Sequence, residues 1–328
     1  MRALTFVGPL ALLMGVIVAA VAVAYVRGRA GRAEEGPYRV LPDPASGRLH
    51  LSAPDGSNVI LDGPVKRLVA LSTGAEEIIV GLGRAEVLVG VSRFSRDPIY
   101  SNIVEDVAAV GDTIVGSIGT STEHIVRLRP DLVLVTRYNA RRSRADLERL
   151  GLQVFPLPNP QSFSDIETSI ELLGDLLNAS TEARRLVGEM RQRLDRVKRE
   201  RPARAPRIVY LAGPTNLWVA GSGTVIGEVI ERAGCRNVAA ENGLREFHRV
   251  GKELLLNWQP DWIVVDGKGE DDARLVDAFR QDSVLARLKA VVAGRIIVIP
   301  ARKLTAVSHH VVDAVEILAR SVGAESEQ

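Results

Sequence analysis

A helix-to-strand unit occurs twice in this chain, in the same register and about 130 residues apart. Residues 121–135 read STEHIVRLRPDLVLV, and residues 251–265 read GKELLLNWQPDWIVV. In each copy a glutamate opens a short apolar helical segment, Pro-Asp stops it, and a hydrophobic run typical of a buried strand follows. A chain that repeats such a unit is expected to fold as two similar halves.

Strand and helix patterns alternate throughout both halves. RLVAL at residues 67–71 opens the first half, and RIVYL at residues 207–211 opens the second. Apolar alternation around a Pro-Asp-Gly-Ser turn predicts a hairpin from Leu49 to Ile60. The alternation predicts a mostly parallel sheet in each half. Further strands are predicted at residues 87–91, 132–135, 152–156, 262–265 and 296–299.

Residues 162–202 carry no strand pattern and are predicted to be helical. Apolar residues recur at helical spacing from Leu186 to Val197, and Ser180 is predicted to cap that helix. About 19 residues of helix extend roughly 28 Å, which is enough to connect two lobes. The predicted fold class is α/β, with two similar Rossmann-like lobes joined by a single long helix. The predicted domains are an N-terminal lobe (49–160), a helical connector (161–203) and a C-terminal lobe (204–328).

Residues 3–26 contain no charged residue, and this length is sufficient to cross a hydrocarbon core. The segment ends in Ala-Val-Ala, the small-residue pattern of a signal peptidase site. Residues 1–26 are therefore predicted to be either a cleaved signal peptide or a transmembrane anchor, followed by a linker at residues 27–48. Positive charge beside an apolar segment tends to stay on the cytoplasmic side of a membrane, so the arginines in the linker argue against export. We nevertheless expect export, because a signal-like segment precedes a body without another such run. No cysteine lies near this segment, so no lipid anchor is expected.

Composition and motifs exclude several functional classes. The 328 residues carry a formal net charge of only +2, which gives no case for nucleic-acid binding. One cysteine, Cys235, excludes a disulfide framework. No nucleophile elbow, P-loop or HExxH motif occurs, so we expect no enzyme. One alternative function is a two-domain α/β nucleotide-binding enzyme that uses the glycine-rich loop Gly221–Gly227. The loop can also be interpreted as a tight turn before a helix at Val225.

Glu123 and Glu253 occupy equivalent places in the two copies of the repeated unit. The helix dipole favours a carboxylate in the first turn, which explains each residue taken alone. As a pair on separate lobes they cannot converge on one substrate for acid–base catalysis. Two separated anions suit a partner that offers basic pockets at the same separation.

These stretches resemble the helical-backbone class of periplasmic substrate-binding proteins of ABC importers, which serve ferric siderophores, haem and cobalamin. The resemblance covers residue 49 to the C-terminus and rests on VKRLVALS, the two repeated units, GSGTVIGEVIERAGCRNVA, the long helix and HHVVDAVEILA. It implies a monomeric, non-catalytic receptor without a cofactor of its own. Such a receptor is periplasmic or extracytoplasmic, released or anchored, and delivers a metal chelate to an ABC permease. It also implies that Glu123 and Glu253 bind permease arginines. The other alternative is a membrane-anchored sensor with the same fold.

The resemblance places the ligand between the lobes, near the carboxyl ends of strands. Aromatic rings provide flat apolar contact and arginines a fork for carboxylates, which suits a bulky, anionic, partly flat chelate. The candidate cleft residues are Arg93, Phe94, Arg96, Arg137, Tyr138 and Asn139 on the first lobe, and Asn216, Trp218, Phe247, His248, Arg249, Lys268, Arg302 and Lys303 on the second.

A bare metal ion would need three or four convergent ligands. His309 and His310 are predicted to begin the last helix and to point apart, and His124 is expected to lie off the cleft. We therefore expect no resident metal site. His248 is the best candidate for a direct ligand to a chelated iron.

Overall fold

The computed structural model describes residues 38–111, 113–114, 122–136, 141–201, 205–269 and 271–323. The predicted signal or anchor segment lies outside these ranges. Within them, no helix combines the length and the apolar character needed to span a membrane.

A three-stranded antiparallel meander opens the described chain. Its second and third strands form the predicted hairpin, with Leu49 opposite Leu61 and Ser52 opposite Asn58. A first strand, inside the stretch predicted as linker, pairs with the second. The strands are β1 (Arg39–Pro42), β2 (Leu49–Ser52) and β3 (Asn58–Leu61).

The first lobe contains a five-stranded parallel sheet with the order β6-β5-β4-β7-β8. Its strands are β4 (Leu68–Ala70), β5 (Leu88–Ser92), β6 (Thr113–Ile114), β7 (Leu132–Val135) and β8 (Val154–Pro156). Its helices are α1 (Thr73–Gly81), α2 (Thr122–Arg127) and α3 (Arg141–Arg149), with single 3₁₀ turns at Ala85–Val87 and Arg93–Arg96. Since the chain leaves β4 in one direction and returns to its other side at β7, the topological switch point lies between these two strands.

Two helices connect the lobes, α4 (Phe163–Leu176) and α5 (Ser180–Arg199). Helix α5 buries the predicted apolar stripe, and its 20 residues correspond to about 30 Å. The predicted cap at Ser180 is wrong. Asn178 takes a left-handed φ of 51°, Ala179 is the residue before the helix, and the Ser180 hydroxyl instead donates to Asp175 at 2.8 Å.

The second lobe contains a four-stranded parallel sheet with the order β11-β9-β13-β14, and a separate antiparallel ribbon, β10-β12. Its strands are β9 (Arg207–Tyr210), β10 (Trp218–Ala220), β11 (Arg236–Asn237), β12 (Phe247–Arg249), β13 (Trp262–Gly267) and β14 (Ile296–Pro300). Its helices are α6 (Val225–Arg232), α7 (Val238–Glu241), α8 (Lys252–Trp258), α9 (Asp272–Gln281), α10 (Lys289–Val292), α11 (Ala301–Leu304) and α12 (Val311–Gly323), with a 3₁₀ turn at Leu285–Arg287. The switch point of this sheet lies between β9 and β13.

Alternate residues of each sheet enter different parts of the core, as strand geometry requires. Val133 and Val135 face a small outer cluster, whereas Leu132 and Leu134 face the largest cluster. The largest cluster also includes residues from one face of the second sheet and from the buried sides of α4, α5 and α12. The two lobes therefore share one continuous hydrophobic core across the connecting helices, and the predicted two-lobe α/β architecture is confirmed.

Candidate functional site

Glu123 and Glu253 lie at matching positions, each the second residue of a short helix and each exposed. Glu123 is in α2 and Glu253 is in α8. In the first turn, the dipole and the unpaired N–H groups of the helix stabilise a carboxylate. Both carboxylates are thus presented at helix N-termini, where a cationic partner can reach them.

An arginine and an aspartate fix the end of α2 in the first lobe. The Asp131 carboxylate accepts hydrogen bonds from the backbone N–H groups of Lys66 and Arg67, both at 2.9 Å. The Arg67 guanidinium donates to the carbonyls of Leu128 at 2.6 Å and Arg129 at 3.0 Å, just after the helix. This pair, which we name the Arg67–Asp131 brace, satisfies carbonyls that the helix end would otherwise leave without partners.

The second lobe repeats the arrangement with Arg207 and Asp261. The Asp261 carboxylate accepts from the Arg207 N–H at 2.8 Å, and the Arg207 guanidinium donates to the carbonyl of Trp258 at 2.8 Å. Gln259 before the Pro-Asp pair has a φ of 44°, and its counterpart Arg129 has a φ of 47°. The Pro-Asp pairs therefore have the structural role predicted for them, and both glutamate helices are anchored to their sheets by the same contacts.

The 3₁₀ turn after β5 carries the first group of predicted cleft residues. Arg93 is exposed, and its guanidinium lies 4.8 Å from the centre of the Phe94 ring. Phe94 in turn meets Tyr100 edge to face, with ring centres 5.9 Å apart. Arg96 is half-buried and donates to the carbonyl of Val110, so it supports the loop. The predictions at Arg137, Tyr138 and Asn139 lie outside the described residues.

The β10–β12 ribbon brings together four predicted cleft residues that are distant in sequence. Trp218 lies opposite Arg249, and Val219 lies opposite His248. One face of the ribbon carries Trp218, Phe247 and Arg249. Residues directly opposite each other in a sheet lie on the same face, and so do residues two apart along one strand. His248 and Arg249 are exposed, and the rings of Trp218 and Phe247 are half-buried. This face offers two aromatic rings and a guanidinium.

The remaining predictions on the second lobe have varied environments. Asn216 accepts a hydrogen bond from the Trp218 N–H through its carbonyl at 2.8 Å, which supports the start of the ribbon. Lys268 is exposed. Arg302 donates to the carbonyl of Pro98 on the first lobe at 3.0 Å, and Lys303 pairs with Asp313 at 2.5 Å. Arg302 and Lys303 therefore have partners inside the protein.

A buried carboxylate, which the sequence analysis missed, joins the lobes. Glu77 on α1 accepts two hydrogen bonds from Asn102, from its N–H at 3.0 Å and its side-chain amide at 2.8 Å, and a third from the Ser308 hydroxyl of the second lobe. The Asn102 amide also donates to the carbonyl of Arg302 at 2.7 Å. Burial raises the pKa of Glu77. We name this group, Glu77, Asn102, Arg302 and Ser308, the interlobe bridge.

Glu76, the neighbour of Glu77, is fully buried within the first lobe. Its carboxyl group accepts hydrogen bonds from the Ser92 N–H at 2.8 Å and from the Ser95 hydroxyl. Burial raises its pKa to about 8, and the hydrogen bonds from Ser95 and Ser92 oppose this only in part. Glu76 thus ties helix α1 to the loop that carries Arg93 and Phe94.

Asp266 is a further carboxylate that sequence reasoning did not identify. It lies near the carboxyl end of β13, at the switch point, and accepts a hydrogen bond from the Tyr210 hydroxyl of β9 at 2.9 Å. Burial raises the pKa of Asp266, and burial together with this carboxylate raises the pKa of Tyr210. Burial, followed by the charge of Asp266, raises the pKa of Tyr100 on the first lobe to about 12. An Asp that ends a hydrophobic strand, in WIVVDG, is the sequence signal that would have identified it.

His309 and His310 do not begin the last helix, and that prediction is wrong. They precede α12, which starts at Val311, and their rings lie 4.0 Å apart with an angle of 35° between them. Burial lowers the pKa of His309 to about 4 and that of His310 to about 3, so both rings are neutral at pH 7. Over the residues that the structure describes, no group of three His, Cys, Asp or Glu side chains has the geometry of a metal site.

The glycine-rich loop at Gly221 is filled by the protein itself. A Cβ at Gly221 would collide with the Leu244 carbonyl, and a Cβ at Gly227 would collide with the Gly221 carbonyl. The N–H of Gly221 donates to the backbone carbonyl of Glu246 at 2.8 Å. The Thr224 hydroxyl caps α6 by accepting from the Gly227 N–H at 2.9 Å. The preceding strand, β10, belongs to the antiparallel ribbon. The loop is the predicted tight turn, and it lacks the parallel-strand context of a dinucleotide site.

Comparison with known proteins agrees with this architecture. Residues 68–303 match the model of a family described as periplasmic binding protein. A "Cobalamin-binding protein" of Halobacterium salinarum is 28% identical over 257 residues, which cover 76% of this chain and 68% of the relative. An "Uncharacterized ABC transporter substrate-binding lipoprotein" of Bacillus subtilis is 24% identical over 278 residues, which cover 82% of this chain and 84% of the relative.

Solved structures show the same fold. The periplasmic haem-binding protein RhuT from Roseiflexus sp. RS-1, in its apo form, superposes with a TM-score of 0.69 at 24% identity, over 80% of this chain and 99% of that one. The sheets, the connecting helices and the family match together define a two-lobed binding protein of the periplasmic, extracytoplasmic type. This chain belongs to the periplasmic binding protein family, a family of binding proteins and not of enzymes.

Proposed function

We propose that the protein is the substrate-binding component of an ABC importer and that it carries a metal chelate of the corrinoid, haem or ferric-siderophore class. The relatives support this ligand class, since they are named for cobalamin binding, haem binding and ABC transport. The cleft candidates support it as well, because the Arg93–Phe94–Tyr100 group and the β10–β12 ribbon combine aromatic rings with guanidinium groups.

The matched presentation of Glu123 and Glu253 is the observation that carries the proposal. Each is exposed in the first turn of a helix whose far end is held by an arginine–aspartate brace. A permease that offers two basic pockets would gain from binding both at once, because the second contact forms at a high effective concentration.

Ligand capture is tested by titrating the protein with haemin, cyanocobalamin and a ferric siderophore. ATP and NAD serve as control ligands. The measurements are the midpoint of thermal unfolding and the dissociation constant. We expect one chelate to bind and the nucleotides to leave the midpoint unchanged. Binding of a nucleotide and of no chelate would contradict the proposal.

Docking is tested by Glu123→Ala, Glu253→Ala and the double variant. We expect chelate affinity to stay unchanged while uptake by the producing cells falls in each single variant and is lost in the double variant. Glu105→Ala and Asp277→Ala are matched controls, because they remove exposed carboxylates elsewhere on the two lobes. Normal uptake by the double variant would refute the docking role.

A further inference from the structure

Two adjacent glutamates of helix α1 hold the two ends of one loop. Glu76 accepts hydrogen bonds from the Ser92 N–H at 2.8 Å and from the Ser95 hydroxyl, both at the start of the loop. Glu77 accepts from the N–H of Asn102 at 3.0 Å and from its side-chain amide at 2.8 Å, at the end of the loop. Consecutive residues of one helix therefore fix both ends.

Residues 92–102, which we name the clamped loop, carry the first-lobe aromatic group of the candidate cleft. Within the loop the Ser92 hydroxyl accepts from the Phe94 N–H at 3.2 Å, and the Phe94 ring meets Tyr100 edge to face. Glu76 thus holds Ser92, and Ser92 in turn holds the backbone of Phe94. The position of the aromatic group is set by a buried carboxyl group on the neighbouring helix.

The clamped loop lies where the two lobes meet. The carbonyl of Pro98, in the middle of the loop, accepts from the Arg302 guanidinium of the second lobe at 3.0 Å, and the Asn102 amide donates to the Arg302 carbonyl at 2.7 Å. Burial raises the pKa of Tyr100 to about 12, and the charge of Asp266 of the second lobe adds to this rise. A ligand held between the lobes would therefore reach the clamped loop.

Two neighbouring carboxyl groups are a costly means of joining a helix to a loop. Glu76 and Glu77 are both fully buried. Burial raises the pKa of both, and the charge of Glu77 adds to the rise for Glu76. Apolar side chains would join the two elements without burying charge, but they do not select one position of the loop as directional hydrogen bonds do. Carboxyl groups with raised pKa values concentrate at functional sites.

We propose that Glu76 and Glu77 are positioning residues of the ligand site, and that they hold the clamped loop so that Arg93, Phe94 and Tyr100 form a preset wall for the chelate. This inference rests on the proposed function. A wall that is in place before the ligand arrives does not have to be ordered during binding, so the two glutamates contribute to affinity without touching the ligand.

The test compares wild type, Glu76→Ala and Glu76→Gln. The probes are cyanocobalamin, haemin and a tris-catecholate ferric siderophore, and the dissociation constant is measured for each probe that wild type binds. Glu76→Ala should bind about tenfold more weakly, as expected for a loop that is in place about a tenth of the time. Glu76→Gln keeps an oxygen that accepts from the Ser92 N–H and should bind as wild type does at pH 6.

Asp165→Ala is the matched control for the loss of a carboxylate that binds backbone. Asp165 accepts from the N–H groups of Gln161 at 2.8 Å and Ser162 at 3.0 Å, at the start of α4. Its removal should lower stability and leave the dissociation constant unchanged. Hydrogen exchange should become faster in residues 92–102 for Glu76→Ala and stay unchanged there for Asp165→Ala.

The pH profile separates positioning from a general loss of stability. The folded pKa of Glu76 is about 8, so its carboxyl group is neutral at pH 6 and becomes charged above pH 8. A charge in a dry site favours arrangements that expose it to water, which releases the loop. We expect the wild-type dissociation constant to rise between pH 7 and pH 9 relative to that of Glu76→Gln, a ratio that cancels any titration of the probe.

The charges around Glu76 leave it to titrate in this way. Glu77, its neighbour on α1, is the charged group that acts on it. The guanidinium groups of the clamped loop have other contacts, since Arg93 lies 4.8 Å from the centre of the Phe94 ring and Arg96 donates to the carbonyl of Val110.

Equal affinity of Glu76→Ala and wild type overturns the inference and leaves the proposed function intact. A ratio of wild type to Glu76→Gln that stays constant from pH 6 to pH 9 does the same. A wild type that binds none of the three probes overturns the proposed function and this inference with it. If Glu76→Ala folds poorly, Ser95→Ala replaces it, because it removes one hydrogen bond of Glu76 and keeps the other, and it is expected to weaken binding in the same direction.

Discussion

Gly74 and Val307 pack so closely that a Cβ added to Gly74 would lie 2.5 Å from the Cγ2 atom of Val307. Gly74 lies in the first turn of helix α1 of the first lobe, and Val307 precedes the last described helix of the second. Glu77, one turn along α1, binds Ser308, and Gly81, another turn along, lies under the ring of His309. One face of α1 is therefore shaped to meet the segment at residues 307–309.

Gly74→Ala should destabilise the protein, because a methyl group at this contact has to displace the Val307 backbone as well as its side chain. Overpacking of this kind costs about 1–3 kcal/mol, which urea unfolding will measure. Gly188→Ala on α5 is the control, since its Cβ would meet nothing within 4 Å, and it should stabilise the helix by about 0.5–1 kcal/mol. Equal stability of Gly74→Ala and wild type would contradict the close contact.

Ser308→Ala should loosen the interlobe bridge while leaving Glu77 its two hydrogen bonds from Asn102. The loss of one buried hydrogen bond costs about 1–2 kcal/mol. The same change should raise the radius of gyration in small-angle scattering of the ligand-free protein. Ser321→Ala removes a hydroxyl bonded only within its own helix, to Ile317 at 2.9 Å, and should leave the radius unchanged. The bridge would lose its proposed role if both variants scattered alike.

Glu76→Gln should change how stability depends on pH. The folded pKa of Glu76 is about 8, above its ordinary value of 4.5, so the folded state binds the proton more tightly than the unfolded state. Its contribution is therefore fully present below pH 4.5 and is lost as the pH rises towards 8. The glutamine side chain keeps an oxygen that accepts from the Ser92 N–H, and it does not become charged as the pH rises. We expect the two proteins to be similarly stable at pH 5 and the variant to be more stable at pH 8, by a few kcal/mol at most. Parallel unfolding curves at both pH values would show that Glu76 does not titrate in this range.

Asp131→Ala and Asp261→Ala should each loosen one glutamate helix, because each carboxylate holds the end of that helix to its sheet. Asp131 accepts from the N–H groups of Lys66 and Arg67, whereas Asp261 accepts from the Arg207 N–H and pairs with Lys289 at 2.7 Å. Each substitution leaves at least one backbone N–H group without its acceptor, at a cost of about 1–3 kcal/mol. Faster hydrogen exchange is expected in α2 for the first variant and in α8 for the second. Asp62→Ala, which breaks an exposed ion pair with Arg48, should change exchange in neither helix. Exchange that rises in both helices for a single substitution would contradict independent braces.

The pattern of hydrophobic residues was sufficient to predict most strands of the two parallel sheets and the long helix, but not β6, β11 or β12. The strand predicted at residues 132–135 is β7, with the same bounds, and the stripe predicted on α5 is buried. These features depend on local periodicity, which the sequence displays directly. The cap predicted at Ser180 was wrong because a serine hydroxyl beside a turn can bond either to the first N–H groups of the helix or, as here, to a neighbouring aspartate.

The polar contacts between distant segments could not be read from local pattern. Glu77 and Ser308 are separated by 231 positions, and nothing near Glu77 signals a buried carboxylate in what reads as an ordinary helix. Arg302 and Lys303 were predicted as cleft cations from their place after a strand, yet the fold gives both of them protein partners. The partner of a charged side chain is set by tertiary structure, so the sequence located the strand ends but not the internal partners of the cations that follow them.

The shared core has a consequence for how this molecule matures. The last helix, α12, packs on α5 and α6 and contributes Val311, Val315 and Leu318 to the cluster that both sheets use. Until α12 is in place, the apolar surface of α5 and α6 that it covers stays open to water. A chain cut short before residue 311 should therefore be a substrate for proteases or chaperones and not a half-active binding protein.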